Sequence, residues 1–160
     1  MEGISLFLSE ALNKKKLYVE NAVLDACRYE LPASPGIYFV FAGIPEKHEG
    51  GFVIHHPRLI YIGESKNIYE RHNDDDGNPV HEHYTDFVSQ LKEGEELCYA
   101  YARTTDGTFT RKMVESALIY HFQPIINDKS TKGYNHRDTE ISISSKYEFP
   151  YIGTFHIKHA

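Results

Sequence analysis

Apolar residues recur at intervals of three and four between Ile4 and Leu12, which is the pattern of one face of an amphipathic helix. The lysines of Lys14–Lys16 follow, and positive charge suits the C-terminal end of a helix. A second helix is predicted from Val19 to Tyr29, ending before Pro32 because proline disfavours helical backbone in the residue before it. We therefore expect residues 1–33 to form a helical addition to the rest of the domain.

Short stretches rich in β-branched and aromatic residues predict the strands. Gly36–Phe41 has this composition and predicts a strand. Leu97–Ala102 alternates along its length and predicts a third strand. The turn signal Glu49–Gly51 predicts an extended first hairpin, whose second strand regains its register at Leu59–Tyr61. A later strand is predicted at Ile152–Ile157.

Three segments after the hairpin predict helices. The first runs through His72 and is capped by Ser65 or Asn67, and the second contains Phe87–Leu91 and ends at Gly94. The longest, Thr110–Phe122, has an apolar-leaning face made of Met113, Val114, Ala117, Leu118 and His121. The expected fold is α+β, an α/β sandwich in which a small, mostly antiparallel, three-stranded sheet is flanked by helices.

Length and composition indicate one globular domain. The chain has 160 residues, of which 41% are hydrophobic. Cys27 and Cys98 are far apart in sequence, so a disulfide framework and a structural metal site are not expected, and a reducing cytoplasm is the natural location. No run reaches the roughly 18 apolar residues of a membrane span, so no membrane partner is expected.

The net charge bears on the choice of partner. A formal charge of −6 has the wrong sign for a protein that holds phosphate backbones non-specifically. If the substrate is a nucleic acid, the positive charge must be local, and part of the affinity would come from a separate DNA-targeting subunit or from a homodimer.

Two tripeptides stand out from this background. Gly36–Tyr38 reads Gly-Ile-Tyr and Tyr61–Gly63 reads Tyr-Ile-Gly, with Arg71 ten positions after the second tyrosine and with Glu115 and Asn127 further on. In this order they resemble the GIY-YIG endonuclease superfamily, over about residues 34–130. The 22 residues between the two motif tyrosines are about twice the family's usual gap. Residues 131–160 would be a C-terminal extension of the single domain.

The resemblance implies a metal-dependent endonuclease that hydrolyses double-stranded DNA with one Mg²⁺ or Mn²⁺ ion bound by Glu115. On a helix, Glu115 shares its face with Leu118, Ile119 and Phe122, where a carboxylate is costly unless it is paired or coordinated. A cation would offset that cost. The alternative is an ion pair with Arg111, four residues earlier.

The resemblance also assigns roles to Arg71 and to the two tyrosines. Arg71 would present its planar fork to the scissile phosphate, or else pair with an acidic neighbour on the surface. Tyr38 would take the proton from water, because a nearby positive charge lowers the pKa of a phenol. Tyr61 would contact the phosphate or the water, although the two roles could be exchanged. Without the motifs, both tyrosines would be taken as core aromatics.

Substrate contacts are expected from Gly63, Lys66 and His72. Gly63 would keep the backbone open to the substrate, and Lys66 would contact phosphate. Asn127 would tie the site together by side-chain hydrogen bonds, unless it is a plain turn residue.

Some family members have a histidine four positions after the arginine, where this chain has Asp75. His72, His81 or His83 could replace that histidine, and the sequence does not choose among them. His81 and His83 lack a third ligand at a suitable spacing, so no zinc site is predicted.

Two other functions stay open. The chain could be a catalytically weak or inactive nucleic-acid-binding or interaction module that has kept the fold, which the acidic balance, the long insertion and Asp75 favour. It could also be an enzyme acting on small nucleotides.

Overall fold

The computed structural model describes residues 13–49, 51–146 and 148–160. The described elements, in chain order, are β1 (Asn13–Val19), β2 (Asn21–Leu24), a 3-10 helix (Asp25–Glu30), β3 (Gly36–His48), β4 (Gly51–Ser65), α1 (Ile68–His72), α2 (Tyr84–Ser89), β5 (Glu96–Arg103), α3 (Thr108–Phe122), β6 (Thr139–Ser145) and β7 (Gly153–Ile157). The helix predicted at residues 4–12 lies outside the described residues. No helix in the described part of the chain is long and apolar enough to cross a membrane.

The central sheet has four antiparallel strands in the order β2-β5-β3-β4. The mixed α+β class is confirmed, but the prediction of three strands is wrong because β2 pairs with β5. The second predicted helix, Val19–Tyr29, is also wrong: strand residues come first, and only the 3-10 helix follows. Val19, Ala22 and Val23 are buried there, so tertiary packing overrides the local helical pattern.

Strands β3 and β4 form the extended hairpin that the turn signal predicted. The pairing runs from Gly36 opposite Ser65 to His48 opposite Gly51, with two register shifts that lie between Val40 and Ile44. These register shifts accommodate extra residues of the long segment between the two motif tyrosines within the paired hairpin. They leave Tyr38 directly opposite Gly63, so the two motif segments are neighbours in the sheet.

A second sheet has the order β1-β6-β7, with β1 and β6 parallel and β6 and β7 antiparallel. Strand β7 confirms the strand predicted near the C-terminus. Strand β6 was not predicted, because Ser142 and Ser144 make the segment polar while only Thr139, Ile141 and Ile143 are buried. The lysines of Lys14–Lys16 lie in strand β1.

The central sheet separates two apolar layers. Ile37, Phe39 and Phe41 of β3 point to the side of α3 and the second sheet, whereas Tyr38 and Val40 point to the side of the 3-10 helix, α1 and α2. Because both faces are covered there, the first eight residues of β3, Gly36–Gly43, are all buried instead of alternating, and only the far end of the strand is largely exposed.

Helix α3 confirms the longest predicted helix, beginning two residues earlier than expected. Its packed face is made of Met113, Val114, Ala117, Leu118 and Ile119. His121, expected on that face, is exposed. The helix ends where Gln123 adopts a left-handed backbone, with φ of 51°, directly before Pro124.

Candidate functional site

Tyr38 and Gly63 fit together across the hairpin. Tyr38 is 1% exposed, and a Cβ atom added at Gly63 would overlap the end of its phenol ring. Glycine is therefore needed here to accommodate Tyr38, which is a different reason from the predicted open approach for substrate.

Tyr61 lies on the same face of the sheet, because it is two residues before Gly63 on β4. Its ring is stacked on that of Tyr38 with the centroids 6.2 Å apart, and it also contacts the ring of Phe87 in α2 at 5.3 Å. Tyr61 is partly exposed, whereas Tyr38 is not. The two motif tyrosines thus form one pair, with Tyr61 nearer to solvent.

Arg71 reaches this pair from α1, a single turn that begins where the Asn67 side chain accepts a hydrogen bond from the backbone of Glu70 at 3.0 Å. The guanidinium is close enough to Tyr38 and Tyr61 to lower the pKa of each phenol. One of its nitrogens, Nη2, donates to Oε1 of Glu82 at 3.0 Å. The alternative of an ion pair with an acidic loop residue is therefore what the structure contains.

Burial outweighs this positive charge at both phenols. Loss of hydration raises the pKa of Tyr38 well above its ordinary value, and raises that of Tyr61 to about 12, while Arg71 opposes both shifts only in part. The expectation of a depressed phenol pKa is wrong for this reason. Both tyrosines are therefore protonated at neutral pH.

Glu115 is held at the edge of the sheet beside the tyrosine pair. Its Oε2 accepts a hydrogen bond from the backbone N–H of Glu64 at 2.8 Å, one residue after the glycine that contacts Tyr38. Burial raises the pKa of Glu115 to about 7, and the nearby carboxylate of Glu64 adds to that shift. Its charge is felt at Tyr38 and Tyr61.

Arg111 does not pair with Glu115, so that alternative is wrong. Its Nε instead donates to Glu64 at 2.9 Å, and its other nitrogens donate to Asp106 and Thr108. Arg111 is 6% exposed and compensates the buried charge of Glu64. Glu115 is thereby left without an ion-pair partner among the described residues.

Asn127 bonds the outer edge of β4. Its Oδ1 accepts from the N–H of Ile62 at 2.9 Å, and its Nδ2 donates to the carbonyl oxygen of Ile62 at 3.0 Å. One residue earlier in the loop, the N–H of Ile126 donates to Ile60 at 2.9 Å. Asn127 and Glu115 therefore satisfy backbone groups that an edge strand otherwise leaves unpaired. The side-chain hydrogen bonds of Asn127 are thus made to the backbone of Ile62.

His72 does not lie where a substrate could touch it. It is 1% exposed, and its ring packs against Tyr38 at 4.5 Å and Tyr99 at 4.9 Å. Burial lowers the pKa of His72 to about 3, so the ring is neutral. Its predicted role in substrate binding is replaced by packing beneath Tyr38.

His81 is the histidine that the structure brings to the tyrosine pair. Its Nε2 lies 2.8 Å from Oη of Tyr38, although the two residues are 43 positions apart. No spacing in the sequence distinguishes it from His72 or His83. Lys66 is exposed just before α1, and Asp75 is exposed in the turn after that helix.

The residues around Glu115 fit some cations and not others. Only its Oε2 receives a hydrogen bond from the described residues, and Lys112 and Lys129 are near enough to lower its pKa. Within residues 13–49, 51–146 and 148–160, no group of three or more His, Cys, Asp or Glu side chains is arranged to hold a metal ion. A lone carboxylate suits Mg²⁺, which keeps several water ligands and takes others from substrate phosphate.

Comparison with protein-family models, with curated proteins and with solved structures finds no match to this chain. The likeness of the motif residues to the GIY-YIG superfamily therefore stays a prediction.

Proposed function

We propose that the protein is a metal-dependent endonuclease that hydrolyses phosphodiester bonds in double-stranded DNA. The observation that carries this proposal is the convergence of Tyr38, Tyr61, Arg71 and Glu115 on one end of the β3–β4 hairpin. These residues come from four elements and are separated by up to 77 positions in sequence, yet each charge acts on both phenols. A phenol pair, a guanidinium and a carboxylate without an ion partner are the groups that phosphodiester hydrolysis needs.

Arg71 would exchange its ion pair with Glu82 for a contact with the scissile phosphate. Phosphate oxygens are stronger partners for the planar guanidinium than the carboxylate of Glu82, whose side chain is 67% exposed. Bound there, Arg71 opposes the negative charge that grows on the phosphate in the transition state.

The two phenols would act as hydrogen-bond donors. Because both are protonated at neutral pH, Tyr61, nearer to solvent, would donate to a phosphate oxygen or to the attacking water. Tyr38, which is 1% exposed, would donate to a phosphate oxygen or water that reaches its Oη beside Tyr61. This replaces the role of general base that the motif alone assigns to Tyr38.

Glu115 would hold the Mg²⁺ or Mn²⁺ ion, with Oε2 kept in place by the Glu64 amide. A divalent cation in such a site supplies charge neutralisation and a more acidic bound water. In the reaction, the water oxygen bonds to phosphorus and releases a proton to the surrounding solvent, the P–O3′ bond breaks, and the leaving O3′ takes up a proton from solvent.

A plasmid-nicking assay tests the proposal. We expect conversion of supercoiled plasmid to nicked circles with Mg²⁺ or Mn²⁺, and loss of at least about 100-fold in rate for Glu115→Gln. Glu93→Gln, in an exposed turn, is the matched control and should cut like the native chain. Equal amounts of nicked product from the native chain and from Glu115→Gln would contradict the proposed endonuclease activity.

A second candidate is a nucleic-acid-binding module without turnover. It is favoured by the ion pair that occupies Arg71 and by the net charge of −6. Duplex binding that depends on Arg71, with no cleavage under any divalent metal, would support it. In either case we expect a separate DNA-targeting subunit or a second copy of the chain to add affinity, which sedimentation with and without duplex would detect.

A further inference from the structure

We propose that His81 is a positioning residue of the site, whose Nε2–H donates to Oη of Tyr38 and directs the phenol hydrogen of Tyr38 toward the substrate. Its effect on cleavage rests on the proposed function, whereas the hydrogen bond itself does not.

The direction of this hydrogen bond follows from the other nitrogen of the ring. The backbone N–H of His83 donates to Nδ1 of His81 at 3.1 Å. An imidazole nitrogen that accepts a hydrogen bond has no hydrogen of its own, and a neutral ring carries its single hydrogen on the other nitrogen. Nε2 therefore carries the hydrogen, and over the 2.8 Å contact it is the donor to Tyr38.

The ring of His81 is fixed from all sides. It is 4% exposed and packs against Tyr61 at 5.1 Å, Phe87 at 4.9 Å and His72 at 5.3 Å. Its carbonyl oxygen accepts from the N–H of Tyr84 at 3.0 Å, where α2 begins. The turn before α2 thus holds both the backbone and the side chain of His81 in one orientation.

The charged surroundings keep the ring neutral. Burial lowers the pKa of His81 to about 2, and the positive charge of Arg71 opposes protonation further. A doubly protonated ring would also lose the acceptor that the His83 amide needs. The neutral ring with hydrogen on Nε2 is the form that satisfies both contacts.

The consequence concerns the hydrogen of Tyr38. Since Oη already accepts from His81, its own hydrogen is free to be donated to a phosphate oxygen or to water. The same geometry prevents Tyr38 from passing that hydrogen to His81, because Nε2 has no lone pair to receive it. Tyr38 thus enters the reaction as an oriented neutral donor.

The first test needs neither DNA nor metal. Long-range ¹H–¹⁵N NMR of the native chain at pH 7 should give His81 the pattern of a neutral ring with hydrogen on Nε2. A ring with hydrogen on Nδ1, or a cationic ring, would overturn the proposal. This outcome is independent of whether the protein cleaves DNA, so it separates failure of this inference from failure of the proposed function.

The second test compares two substitutions. His81→Gln offers an amide N–H near the position of Nε2, whereas His81→Phe keeps only the ring; His121→Phe, at an exposed histidine, is the control. We expect His81→Phe to move the ¹³Cζ resonance of Tyr38 and to lower the kcat of nicking by about 10- to 100-fold with little change in KM. His81→Gln should restore most of both. Equal values for both substitutions, whether impaired or native-like, would contradict the donor role.

Discussion

At the scale of single residues, the site depends on how closely Tyr38 is packed. One neighbour has no side chain, Gly63, and another is a histidine whose ring is buried beneath it, His72. The phenol therefore has one available position.

Gly63→Ala should displace that phenol. The added methyl group overlaps the Tyr38 ring, so we expect a loss of about 1 to 3 kcal/mol in the free energy of unfolding, measured with urea. Gly51→Ala is the control, since nothing lies within 4 Å of a Cβ atom there. Similar losses from both substitutions would show that the close contact does not matter.

Glu115→Gln should stabilise the protein at alkaline pH. A carboxyl whose folded pKa is raised to about 7 destabilises the fold once it ionises, so the cost is present above pH 7 and absent below its unfolded value of 4.5. Removing the charge should add about 1 to 3 kcal/mol at pH 8 and little at pH 4. Urea unfolding of both chains at the two pH values measures this, and a destabilised Glu115→Gln at pH 8 would contradict it.

At the scale of elements, the long hairpin and α3 could be predicted because their signals are local. Glu49–Gly51 marks the turn, and apolar residues recur along one side of Thr108–Phe122. Strands β1 and β6 could not be predicted, since each is stabilised by pairing with the other, more than a hundred residues away in sequence. The motif residues were found by spacing, whereas His81 reaches Tyr38 only through the turn before α2, which no spacing records.

The edge of β4 gives a prediction at this scale. Asn127→Ala removes both side-chain hydrogen bonds to Ile62, so we expect a loss of about 1 to 3 kcal/mol in stability and faster hydrogen exchange at the Ile62 amide. Asn135→Ala, at an exposed loop residue, serves as the control. Unchanged protection of the Ile62 amide would mean that the edge is held by other contacts.

At the scale of the whole molecule, two buried neutral histidines make stability depend on pH. The pKa of His72 is lowered to about 3 and that of His81 to about 2, so the unfolded chain binds protons more readily than the folded one. Their contribution is intact above pH 6.5 and is lost as the pH falls toward these values.

We therefore expect acid to destabilise the protein through these histidines well before most of its carboxylates are protonated. Between pH 7 and pH 5 each of the two should lower the free energy of unfolding by about 2 kcal/mol, while protonation of Glu115 over the same range returns about 2 kcal/mol. Urea titrations of the Glu115→Gln chain at the two pH values measure the fall without that offset, and adding His72→Phe should reduce it by about half. A flat profile over this range would contradict the burial of both rings.

The parallel pairing of β1 with β6 also sets an order of events during synthesis. Asn13 lies opposite Thr139, so β1 leaves the ribosome well before its partner exists. At about 5 to 20 residues per second, that strand waits about 6 to 25 s with its backbone groups uncovered. The hairpin and its helices can assemble in that interval, and the second sheet forms only after β6 and β7 have been synthesised.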